Sequence, residues 1–185
     1  MNFANLATFA RIILSVFLCH MILINQINLI VILLFLIAFG SDWLDGFLAR
    51  KIKKVTDFGK IFDPIADKIL VFSVLICFLK INLISAWLVI ILLTREFLMS
   101  SARILLSKYR IIYSANIYGK LKTVLQFFAV FMLIFSLQKF DFYNNIFYNL
   151  GIFLIWCSVL FSFVSLFLCF FENKKIFLKI LNGDS

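Results

Sequence analysis

The sequence is poor in charge, in proline and in glycine. Only 15% of its 185 residues are charged while 64% are hydrophobic, and the mean hydropathy is +1.10. Soluble domains carry about a quarter charged residues, so a soluble globular fold is excluded. One proline and six glycines leave little to break helices. No period-two alternation marks the strands of a membrane β-barrel, so the apolar runs read as helices. The single histidine, His20, lies inside an apolar run and is assigned no role. Four cysteines (Cys19, Cys77, Cys157 and Cys169) sit in apolar runs at unrelated spacings, which fits small hydrophobic residues rather than a disulfide framework or a metal site. Acids are scarce as well, nine against 18 Lys and Arg, for a net charge of +9. A nucleic-acid partner is not expected, because the basic residues cluster just outside apolar runs rather than along one soluble face. Residues 1–11 lack a basic n-region and no small-residue cleavage site follows, so a removed signal peptide is not expected.

What the chain does have is apolar runs of bilayer length, about 20 residues each. They predict an all-α integral membrane protein of six transmembrane helices, near 12–24, 29–49, 63–80, 83–106, 117–137 and 146–171. The whole of 1–185 reads as one membrane domain, with an interfacial N-terminal segment at 1–11 and a short amphipathic tail at 172–185. In that tail Ile176, Phe177, Ile180 and Leu181 lie opposite Lys174, Lys175 and Lys179, as in a helix lying on a membrane. The sixth span has no strongly polar residue and is expected to face lipid or another subunit.

Against that background, residues 42–67 stand out. Asp42 and Asp45 are three apart and Asp63 and Asp67 four apart, so each pair shares a helix face. Gly46 and Ala49 fall within roughly 60° of Asp42, which leaves that face almost without bulk. A charge in a bilayer costs roughly 3 kcal/mol or more, and clustered like charges repel. Cations must therefore lie between them. Carboxylates without His or Cys suit a hard ion such as Mg²⁺ or Mn²⁺. Four of them suffice for two divalent ions roughly 4 Å apart, the arrangement that clamps entering and leaving oxygens in phosphoryl transfer. Arg50 adds a fork suited to phosphate, and Gly46, Ala49 and Gly59 would let a base or ribose approach the backbone. Metal-assisted phosphoryl transfer on a nucleotide at a membrane surface is the chemistry these residues predict.

The spacing D-x2-D-G-x2-A-R-x8-G-x3-D-x3-D is met by Asp42, Asp45, Gly46, Ala49, Arg50, Gly59, Asp63 and Asp67. It resembles the signature of the CDP-alcohol phosphatidyltransferases. The resemblance implies CDP binding by Gly46, Ala49, Arg50 and Gly59, metal binding by Asp42, Asp45 and Asp63, and Asp67 as either a fourth ligand or the catalytic base. An N-x2-T-x2-R opening, Asn5, Thr8 and Arg11, resembles the family's border of the nucleotide pocket; an N-cap and an interfacial arginine explain it equally well. Thr56 could donate to a phosphate or cap a helix. The resemblance also implies a homodimer, although no interface is legible.

Arg95 and Glu96 fall near mid-span, where ionisable residues are functional candidates by default. Glu96, Ser100 and Arg103 share one face; either they tether helices, or Arg95 or Arg103 receives an anionic substrate. Gly119, Lys122, Thr123 and Gln126 form a polar stripe expected to face the bundle interior. Lys120 and Lys122 are either snorkelling residues or part of an anion pocket. The pattern R-E-x3-S-x2-R followed by G-K-x-K-T resembles the phosphatidylglycerophosphate synthase branch of the family. That implies transfer from CDP-diacylglycerol to glycerol 3-phosphate, with Arg95, Arg103, Lys120 and Lys122 on the acceptor's phosphate. The rivals are another acceptor (inositol phosphate, phosphatidylglycerol or serine) and, in a different class, a cation or proton transporter using the aspartates.

Six spans put both termini on one side. That side then holds fifteen of the 18 basic residues, leaving Lys80 and Lys139 opposite and Arg95 within a span. The positive-inside rule makes it the cytoplasmic face of the cell membrane, with the aspartate motif on it.

Overall fold

The computed structural model describes residues 3–26, 28–52, 57–109, 111, 116–138 and 144–181; the side chains of 3–8, 41–52, 57–64, 67, 175 and 179–181 lie outside that description. Among the described residues the only regular secondary structure is helical, in seven pieces. These are α1 (Phe3–Leu23), α2 (Leu29–Ile52), α3 (Asp57–Lys80), α4 (Ala86–Lys108), α5 (Ile117–Ser136), α6 (Asn144–Glu172) and α7 (Lys174–Leu181).

Local chemistry sets several of the boundaries. After α1 and α3 the chain turns through Asn25 and Asn82, both with positive φ, 56° and 57°. Asparagine tolerates this left-handed conformation. The turn at Asn82 is closed by the Leu83 amide donating to the Phe78 carbonyl at 2.8 Å. Ser85 caps α4 by accepting from the Leu88 amide, and Asn116 caps α5 by accepting from the Gly119 amide at 2.9 Å.

Two expectations change. The N-terminal segment is not set apart from the first span, since one helix runs from Phe3 to Leu23. The helices around the connection between the second and third spans, expected to end near 49 and to begin near 63, are longer than expected: α2 continues to Ile52 and α3 already begins at Asp57. The connection is charged, yet Lys and Arg are good helix formers. Arg50 and Lys51 also sit at the end of α2, where the helix dipole favours cations, and Asp57 opens α3, where it favours anions. Pro64 consequently lies two turns inside α3.

The helices pack as a bundle in which α1 lies on α2 and α3, α5 lies along α6, and α4 touches α3 and α6. The main core joins Leu18 and Ile22 of α1, Phe35 of α2, Val74 and Phe78 of α3, and Leu133 of α5. Phe127 of α5 stacks on Phe35 and Phe39 of α2, with ring centroids 5.4 and 4.0 Å away. A smaller cluster around Met99, Leu106 and Leu166 is covered by Ile176 and Phe177 of α7. Of the residues expected on the tail's apolar face, Ile176 and Phe177 pack against the bundle here.

The outer surface is also apolar, and a minority of polar side chains is buried within the apolar core. Ile13, Trp87, Ile117 and Phe167 are each about 70% exposed, whereas Arg11, Arg95, Lys122, Gln126, Ser158, Ser162 and Ser165 are buried. Large apolar side chains exposed on the outside suit a lipid solvent. Buried Ser15 and Ser158 donate to their own helix, to the carbonyls of Ile12 and Ile155, both at 2.7 Å. Two described helices, Ile117–Ser136 and Asn144–Glu172, are long and apolar enough to cross a membrane, and Phe9–Leu23 and Leu29–Gly40 are shorter apolar stretches. The sixth-span expectation is modified by its buried serine stripe, which faces the bundle rather than lipid.

Candidate functional site

The aspartate motif straddles the α2–α3 connection. Asp42, Asp45, Gly46, Ala49 and Arg50 are on the last turns of α2; Gly59, Asp63 and Asp67 are on the first three turns of α3. Both segments have helical backbone, so each aspartate pair shares a helix face, and α2 touches α3. The side chains of these eight residues, and of Asn5 and Thr8 on α1, lie outside the described set; Thr56 lies outside it altogether. The donor set is nonetheless chemically consistent. Four carboxylates with no nitrogen or sulfur donor among them fit hard divalent ions.

The better-described part of the site begins one residue after Asp67. A polar cavity of about 270 Å³ is lined by Lys68 of α3, Glu96 and Arg103 of α4, and Lys122, Thr123 and Gln126 of α5, with Phe39 of α2 at its edge. Glu96 organises it. One carboxylate oxygen, Oε2, meets the Arg95 guanidinium at 3.0 Å and pairs with the Lys122 ammonium, while Oε1 lies 3.6 Å from the Lys68 ammonium. Lys68 also donates to the Ser100 hydroxyl at 2.5 Å, and that hydroxyl donates to the Glu96 carbonyl at 2.8 Å. Three helices, α3, α4 and α5, therefore meet at one carboxylate.

The four expected acceptor-site cations separate into three situations. Lys122 is buried and lines the cavity; Arg103 lines it and is exposed. Arg95 is buried beside Glu96 but is not among the cavity's lining residues, and its Nε donates to the Ser162 carbonyl of α6 at 2.8 Å. That geometry is the helix tether left open by the sequence. Lys120 is exposed on α5, about 200° around the helix from Lys122. From the expected inward stripe, Lys122 and Gln126 are buried, whereas Thr123 is exposed.

Lys68 is the cavity residue that sequence reasoning passed over. Its signal was available: an acid at mid-span, Glu96, demands cationic partners, and Lys68 is a cation in the neighbouring span. Behind Lys68, Phe72 and Glu96 lies a second, apolar groove of about 480 Å³ between α3 and α4, lined by Ile65, Ile69, Phe97 and Ile104. The two spaces share those three residues.

Comparison with known proteins gives a consistent picture. A profile described as CDP-alcohol phosphatidyltransferase matches residues 1–164. A Bacillus subtilis protein named CDP-diacylglycerol–glycerol-3-phosphate 3-phosphatidyltransferase is 40% identical over 133 residues, covering 72% of this chain and 67% of the relative. A protein of the same name from Rickettsia typhi is 40% identical over 135 residues, covering 72% and 76%. One from Wigglesworthia glossinidia brevipalpis is 33% identical over 144 residues, covering 75% of each.

Proposed function

Because the chain belongs to the CDP-alcohol phosphatidyltransferase family, we propose that it transfers the phosphatidyl group of CDP-diacylglycerol to glycerol 3-phosphate, giving phosphatidylglycerophosphate and CMP. The observation that carries the choice of acceptor is the polar cavity. Lys68, Arg103 and Lys122 line it together with one described carboxylate, Glu96, and Lys68 directly follows the last aspartate of the motif. A surplus of positive charge in a space of about 270 Å³ favours a small acceptor that is itself a phosphate ester. The adjoining apolar groove suits a donor with a charged head and fatty chains.

In this reading the cytidine diphosphate lies against Gly46, Ala49, Arg50 and Gly59, with Asn5, Thr8 and Thr56 at its border. Two divalent ions, Mg²⁺ or Mn²⁺, held by Asp42, Asp45, Asp63 and Asp67 would neutralise the diphosphate and stabilise charge on the departing CMP. The acceptor's primary hydroxyl oxygen bonds to the β-phosphorus. The bond from that phosphorus to the bridging oxygen breaks, and CMP leaves with the oxygen. Asp67 takes the hydroxyl proton. Lys122, Arg103 and Lys68 hold the acceptor's phosphate, while Arg95, anchored to the Ser162 carbonyl of α6, braces Glu96 and Lys120 stays outside. Six spans, with both termini and the aspartates on the cytoplasmic face, would let a water-soluble acceptor reach the site. A homodimer completes the proposal.

The deciding experiment measures CMP release by the purified protein in detergent with CDP-diacylglycerol and Mg²⁺, adding glycerol 3-phosphate, inositol phosphate, serine or phosphatidylglycerol separately. Release with glycerol 3-phosphate alone is expected. Release with another acceptor would overturn the acceptor assignment but keep the chemistry. No release from folded protein would overturn the enzyme reading and reopen ion transport.

A further inference from the structure

Between Asp67 and Asp141 the chain has one acid, Glu96, and it meets three cations. A helix tether needs only one of them. The other two, Lys68 and Lys122, are the lysines of the polar cavity. Each is a flexible four-carbon stem that loses rotamer freedom when it grips an anion. Here that freedom is already restricted. Lys122 is held at Oε2 of Glu96, and Lys68 lies between Oε1 and the Ser100 hydroxyl one turn further along α4. Arg95, fixed to the Ser162 carbonyl, donates to the same Oε2 that Lys122 meets.

We propose that Glu96 is a positioning residue for the acceptor: it fixes the Lys68 and Lys122 ammoniums on the cavity wall so that a phosphate monoester meets them already in place. The inference rests on the acceptor assignment above and extends it. Binding then costs less lysine ordering. The charge count agrees, since three lining cations against one lining carboxylate leave a surplus of two. A phosphate monoester near neutral pH carries close to two negative charges.

Glu96→Gln gives the test a definite sign. It removes a negative charge, which by itself would tighten anion binding, and it removes the hold on both lysines. We expect the KM for glycerol 3-phosphate to rise about tenfold, a change of 1.4 kcal/mol, with kcat and the KM for CDP-diacylglycerol within about twofold of wild type. Glu96→Asp keeps the charge but withdraws it by one methylene, and should give a smaller rise. An acceptor KM that falls or stays at the wild-type value overturns the proposal, as does a loss confined to kcat. If the Gln variant does not fold, the Asp variant decides by the same criterion. Calorimetric binding of glycerol 3-phosphate to the same proteins separates this question from the reaction. Wild-type protein that binds the ester but releases no CMP sinks the proposed reaction, and weaker binding in the variants still supports the role of Glu96.

Discussion

Replacing Arg95 by methionine tests whether this buried cation tethers helices or binds substrate. The side chain is 4% exposed, donates to the Ser162 carbonyl at 2.8 Å and meets Glu96 at 3.0 Å. Removing one partner of a buried ion pair costs about 3–5 kcal/mol when the other is left alone. Glu96 is not left alone, because Lys122 and Lys68 remain. Side-chain hydrogen bonds within membrane bundles are also modest, averaging about 0.6 kcal/mol and reaching about 1.7. Methionine keeps most of the packing, so the net destabilisation should be about 2 kcal/mol. For a chain of this size that lowers Tm by roughly 4–8 °C. Thermal unfolding of the detergent-purified variant, followed by tryptophan fluorescence, would measure the shift. CMP release at varied glycerol 3-phosphate should return an acceptor KM within about threefold of wild type. An unchanged Tm with a tenfold higher acceptor KM would refute the tether and return Arg95 to the acceptor's phosphate.

Lys122→Met should raise the acceptor KM by about tenfold or more, the loss of one charged contact, while Lys120→Met leaves it unchanged. Equal effects of the two would remove the cavity from the acceptor reading. Chelation of divalent ions by EDTA should abolish CMP release, with Mg²⁺ or Mn²⁺ restoring it; turnover that persists in EDTA contradicts the four-carboxylate centre. Gly151 lies where α6 meets α5, and a Cβ there would come 2.8 Å from Leu133 Cγ and 3.3 Å from the Ala129 carbonyl. Gly151→Val should therefore cost about 2 kcal/mol by overpacking, seen as a lower Tm with catalytic constants unaltered. A wild-type Tm would show that Leu133 yields freely.

The helices and the signature could be read from the sequence because each depends on neighbours a few residues away. Long apolar runs placed α4, α5 and α6 within a few residues of their ends. The helical backbone of 50–52 and 57–60 is not legible from charge, because Lys and Arg are good helix formers whether or not they are solvated. The cavity itself was only half legible. Arg103 and Lys122 stand out as cations near apolar runs, but their situations differ from those of Arg95 and Lys120 only through tertiary packing. Glu96 meets Lys122 from 26 residues away, and Lys68 meets Ser100 from 32 away. No periodicity within a single helix encodes such pairings.

Arg11 shows how far the influence of such a pairing can extend. Its Nε donates to the Ala38 carbonyl of α2 at 3.2 Å. In a regular helix that same carbonyl receives the amide of the residue four positions on, which here is Asp42. The N-terminal helix therefore holds a carbonyl one turn before the first aspartate. A shift of α1 along its axis would act on the backbone of α2 just before the aspartate motif. The first helix thus shares a backbone hydrogen-bonding group with the turn that carries the start of the signature.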